Sequence, residues 1–189
     1  GGAAGVGSQR FSRLFAAVDR LSSLDGWLGA LCLVAMAALI LTEVLLRSLS
    51  NVIPGLPGHI PVAWEYGSYL MAAAFTFGAG MTLRAGGHIR VNLLLAKASK
   101  GFRRVLEIGS SLVGFLFTSF LTYSMVRFSL TSFERGTTAV SSDTPLWIPQ
   151  ILITFGISLL ALQFLTRFLR AVLNVPLEDH SMRPQSSME

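Results

Sequence analysis

Glu43 and Arg47 are four residues apart, so on a helix they share one face and can pair directly. Glu65 and Arg127 complete a set of four whose formal charges sum to zero, each near the end of an otherwise uncharged apolar run. Charges at such depth in a membrane cost a few kcal/mol each unless they are paired or turned inward. Two kinds of chemistry are open to the set. One is an ion path or a docking surface within the membrane. The other is a structural ion-pair network that fixes helix packing, its outermost groups reaching toward headgroups. The second is our reading, because an ion path usually retains an unbalanced carboxylate near mid-membrane and none of the four is central.

No other constellation suggests catalysis. His59, His88 and His180 fall in connections or in the tail, so no pair of them can face each other within a span to hold haem. Cys32, the single cysteine, excludes an intrachain disulfide and reads as a small buried apolar residue. Gly86-Gly87 reads as a helix stop rather than a nucleotide loop. We therefore expect no enzyme and no cofactor or metal.

The elements that must position the four charges are apolar runs. They cover 26–42, 66–83, 108–126 and 144–166, each long enough or nearly so to cross hydrocarbon as a helix of roughly 20 residues. A mean hydropathy of +0.60, with 52% hydrophobic and 13% charged residues, excludes an ordinary soluble domain. The expected fold is an all-α membrane protein of four transmembrane helices with amphipathic interfacial helices. We divide it into an N-terminal segment (1–23), a four-helix domain (24–172) and a polar tail (173–189). The opening Gly1-Gly2-Ala3-Ala4-Gly5 reads as a processed or added end and takes no part in this division.

Within the first segment, Phe11, Leu14, Phe15, Val18 and Leu21 recur at helical spacing, with Arg13, Ala17 and Arg20 opposite. This predicts an amphipathic helix before the first span, its apolar face turned to lipid or to a partner protein. Asn51, Pro54, Gly55, Pro57, Gly58 and Pro61 make a loop that cannot stay helical. Trp64, Tyr66 and Tyr69 then stand like an interfacial belt. The stretch 88–104 predicts a second interfacial helix, followed by a third span over about 105–130. Pro149 falls at the third position of a last helix that begins after Leu146, where a missing N–H does no harm. Gly78, Ala79, Gly80, Gly109, Gly114 and Gly156 would permit close helix approach. Phe115, Phe117, Phe120 and Phe128 read as lipid-facing or packing residues.

Charge is distributed unequally. Arg84, Arg90, Lys97, Lys100, Arg103 and Arg104 lie in one connection without an acidic residue, and the net charge is +5, so the remainder is about −1. This local basicity points to anionic lipid at a cytoplasmic face, not to nucleic acid. Arg10, Arg13, Arg20, Arg167 and Arg170 fall on the same side, which puts both termini in the cytoplasm.

Three stretches together resemble the small membrane subunit of tripartite ATP-independent periplasmic (TRAP) transporters, the DctQ-like family. They are Glu43-Val44-Leu45-Leu46-Arg47 followed by Trp64-Glu65-Tyr66; the segment 84–94, which contains Gly87, His88, Arg90 and Asn92; and Thr144-Pro145-Leu146-Trp147-Ile148-Pro149 at the last helix entry. Asn92 and Trp64 stand where that family often has acidic residues. The resemblance implies a non-catalytic subunit of a sodium-coupled organic-acid importer in the bacterial inner membrane. Its partners would be a large permease subunit and a periplasmic substrate-binding protein. The competing reading is a self-sufficient homo-oligomeric small transporter or channel, with Glu43, Arg47, Glu65 and Arg127 lining the pore.

Overall fold

The computed structural model of the chain describes residues 3–84 and 99–173, and within them the secondary structure is four helices and one isolated β-bridge. Helix α1 spans Ala3–Ser50, α2 Ala63–Arg84, α3 Lys100–Glu134 and α4 Trp147–Leu173. The family-like residues Gly87, His88, Arg90 and Asn92 lie outside the described residues. So do most of the expected interfacial helix over 88–104 and the tail from 174.

Helix α1 differs from the expectation of a separate amphipathic helix followed by a span. Its 48 residues are continuous and, at 1.5 Å each, reach about 72 Å, more than twice a hydrocarbon core of about 30 Å. No proline lies between Ala3 and Ser50, so nothing in the sequence forces a break. Helix α3 begins earlier than expected, at Lys100, because the Ser99 side chain accepts a hydrogen bond from Phe102 N–H (3.4 Å) and so caps it. Helix α4 starts at Trp147, which puts Pro149 at its third position as its sequence requires.

Three of the helices contain segments long and apolar enough to cross a membrane: Arg13–Ser50, Gly101–Glu134 and Trp147–Leu173. Helix α2 has 22 residues, but Gly67, Ser68, Thr76, Gly78, Gly80 and Thr82 dilute its apolar character.

The helices form an open row rather than a closed bundle. Helix α1 packs on α2, α2 on α4 and α4 on α3, with a lesser contact between α1 and α4. Small residues set these approaches, since a membrane interior offers little hydrophobic drive between helices. A Cβ on Gly29 would meet the Gly78 backbone nitrogen at 3.0 Å, one on Gly156 would meet Thr76 Oγ1 at 2.6 Å, and one on Gly114 would strike the Phe164 ring. At Gly109, by contrast, a Cβ would meet nothing within 4 Å. The outer faces of the row are apolar and exposed, with Phe117, Phe120 and Phe128 on α3 among the bare rings.

Two ends can be distinguished. The loop end carries the connections 51–62 and 135–146. The basic end carries the α2 C-terminus, the α3 N-terminus and the last turns of α4.

Candidate functional site

At the loop end the structure separates the four charges singled out above. Arg47 Nη2 donates to Glu43 Oε1 at 3.3 Å, and the Arg47 side chain remains 66% exposed. The second Glu43 oxygen accepts the backbone N–H of Ile60, tying the proline-rich loop back to α1. The loop leaves α1 through the Ser50 hydroxyl, which donates to the Arg47 carbonyl (2.9 Å), and turns at Gly55, whose φ of 100° suits glycine. Glu43 is thus both an ion-pair partner and a loop clasp.

Glu65 serves a different loop. Its Oε1 accepts the Ser141 N–H at 3.0 Å, and next to it Tyr66 Oη and Thr144 Oγ1 share a hydrogen bond of 2.8 Å. These contacts hold a hairpin in which Ala139 N–H donates to Thr144 O (2.9 Å) and Leu146 N–H to Thr137 O (3.1 Å). Thr138 and Pro145 form its β-bridge, and Gly136 and Asp143 turn the chain with positive φ. The edge-on contact of Trp147 with Phe133, 5.6 Å between centroids, closes the base of the hairpin. Arg127 is exposed on α3, and among the described residues no ion pair joins it to Glu65 or Glu43. Thr144 and Pro145 therefore belong to the hairpin that Glu65 clasps, and Pro149 is buried in the first turn of α4.

The charged groups that sequence reasoning missed lie at the basic end. Arg167 Nη2 donates to Glu107 Oε2 at 3.1 Å, with side-chain exposures of 8% and 7%. Its Nη1 donates to the Leu83 carbonyl at 3.0 Å, so one guanidinium on α4 holds both the end of α2 and the start of α3. One turn on, Arg170 Nη2 lies 3.1 Å from both Asp19 oxygens, and its guanidinium sits 5.1 Å from the Phe15 ring centroid. Arg104 on α3 donates to the last carbonyls of α4, Ala171 O at 3.3 Å and Val172 O at 2.7 Å, where cations favour a helix C-terminus.

The face of α1 that carries Val18, Ser22 and Asp25 is buried in this region. Gln163 Nε2 reaches the Val18 carbonyl at 3.5 Å. Asp25 is 0% exposed and lies against Gly80, where only glycine leaves room for its carboxyl; neither oxygen has a partner among the described residues. The apolar face predicted from Phe15 and Val18 is thus turned in part to α4, while Leu14 and Leu21 stay exposed. A signal was present in the sequence. Asp25 and Glu107 immediately precede two of the apolar runs, and Arg167 immediately follows a third.

All four helices meet through charge at one end, two loops are clasped by carboxylates at the other, and apolar flanks lie between. A scan against protein families matches residues 36–174 to "Tripartite ATP-independent periplasmic transporters, DctQ component", well over half of the chain. The chain belongs to the DctQ family. Comparisons with curated proteins and with solved structures return no match. As a DctQ protein it is a small membrane component of a tripartite transporter and works with the other components of that system. The matched region begins at Met36, beyond the Asp19 and Asp25 contacts, so that part of the basic end lies outside the shared family region.

Proposed function

We propose that this DctQ protein is a non-catalytic brace for the large permease subunit of a sodium-coupled TRAP importer of organic acids. It would sit in the bacterial inner membrane as four spans, α2 included, with both termini and the basic connection in the cytoplasm. Its two clasped loops would then face the periplasm and help receive the substrate-binding protein. The coupling ion and substrate class rest on the family resemblance, and the sidedness rests on the clustering of arginine and lysine.

The observation that carries the bracing role is the open row of unbroken helices. Transport sites in such systems are built from discontinuous helices at mid-membrane, with half-helix ends pointing at substrate. Here Glu107, Arg167, Asp19 and Arg170 are used between helices, Glu43 and Glu65 clasp loops, and the lateral faces stay apolar. A row open on two faces suits lateral contact with a larger membrane partner.

Pull-down of the intact membrane complex should recover a much larger hydrophobic partner. Proteoliposomes containing this chain alone should take up no organic acid; sodium-driven uptake by the lone chain would overturn the bracing role. A membrane-impermeant amine label applied to spheroplasts should spare Lys97 and Lys100, and their modification from outside would overturn the sidedness.

A further inference from the structure

Helices α1 and α2 touch closely toward the basic end. A Cβ on Gly29 would press on Gly78, and one on Gly26 would strike Met81. Toward the loop end they enclose a groove of about 400 Å³, with Met36, Ile40 and Glu43 on one wall and Trp64, Gly67 and Met71 on the other. These positions recur at helical spacing, so two continuous stripes face each other across the opening.

The groove is graded in polarity along its length. At mid-helix it is walled by methionine and isoleucine. At its mouth stand Arg47, Ser48 and Trp64, the last 87% exposed. Glu43 is already engaged by two donors, whereas Arg47 directs only Nη2 at it, across 3.3 Å. The remaining guanidinium donors have no partner among the described residues and stand at headgroup depth, where arginine and tryptophan are favoured.

From Met36 to Arg47 is eleven residues, about 16 Å of helix rise, which matches one leaflet of a hydrocarbon core about 30 Å thick. A partner helix crossing the membrane would need a groove along both halves of α1, and the Gly29–Gly78 contact closes it halfway. An amphiphile confined to one leaflet fits the length, the gradient and the unused cationic donors.

We propose that the groove between α1 and α2 holds one glycerophospholipid, an acyl chain against Met36, Ile40 and Met71 and its phosphate on Arg47. This goes beyond the bracing role and stands even if that role fails, because it requires only that the chain be embedded in a bilayer. It concerns the leaflet at the loop end, distinct from the anionic lipid expected at the basic connection.

The test uses the full chain in nanodiscs of phosphatidylethanolamine and phosphatidylglycerol, with its partner subunits present. A benzophenone is attached at Ser48→Cys, exposed at the groove mouth where it leaves the interior open, in a Cys32→Ala background. The control label is at Phe75→Cys, exposed on α2 outside the groove. After a detergent wash and illumination, mass spectrometry should find a phospholipid adduct at position 48 and none at position 75. Adding Arg47→Ala should lower the adduct at 48 by about fivefold, as expected when a charge-assisted contact is lost. Gly67→Leu should abolish the retained lipid seen by native mass spectrometry while leaving the unfolding temperature unchanged. An adduct to another protein chain, an adduct to detergent alone, or a yield indifferent to Arg47 would each overturn the proposal.

Discussion

The basic end and the loop end of this protein use the same side-chain types to opposite effect. At the basic end Glu107 and Arg167 are buried together, and the guanidinium also serves the Leu83 carbonyl, so three helices depend on one group. At the loop end the Glu43–Arg47 pair joins one helix to itself and leaves Arg47 largely exposed. Removing one member of a buried pair strands the other charge, whereas an exposed pair within one helix contributes little. The difference locates structural integrity at the basic end and adjustable surface at the loop end. That division is what the proposed bracing role would need, a rigid body with loops free to meet another protein.

The largest effect is expected at the buried pair. Arg167→Met or Glu107→Gln alone should cost about 3–5 kcal/mol, read by denaturant titration of the detergent-solubilised chain. The combined change should recover part of that loss, as a double-mutant cycle would report. If the single changes proved no worse than a change at Glu43, the contrast between the ends would fail.

Gly29→Leu should follow, at about 1–3 kcal/mol, because its side chain must push α1 away from the Gly78 backbone. A cross-link engineered between α1 and α2 should report the separation directly. Asp19→Asn should be milder, about 1–2 kcal/mol, since that carboxylate is a third exposed and Arg170 keeps its contact with Phe15. Loss of α1–α4 proximity in the same cross-linking assay would check it.

At the loop end Glu65→Ala should leave the bundle intact and speed hydrogen exchange at Ser141 and its neighbours, because the lost acceptor serves only the hairpin. Arg47→Ala should be the smallest of all in stability, within about 0.5 kcal/mol. Its measurable consequence should be the loss of bound lipid described above.

The elements of the fold were legible in local sequence. Pro54, Pro57 and Pro61 with their glycines end the first helix where the structure ends it, and Pro149 fixes the start of the last one. The Ser99 cap of α3 lies outside the apolar run that marks that span, and the lack of a break merges the amphipathic segment with the first span. At the candidate site, the i,i+4 relation of Glu43 and Arg47 was readable because both lie on one helix. The partners of Glu65 were not, since one is a backbone N–H 76 residues away, presented by a turn that depends on Asp143 at positive φ.

By itself the sequence determined that this chain is built of long apolar helices, where proline and glycine bound them, and which family it belongs to. Those properties follow from hydropathy, proline and glycine placement and short motifs, all carried by neighbouring residues. Only the tertiary structure decided that α2 and α4 stand between α1 and α3, that Glu107 meets Arg167 across 60 residues, and that Asp19 meets Arg170 across 151. Lateral order and helix rotation come from glycine contacts and from the need to pair buried charge. Neither is encoded in any single stretch of chain.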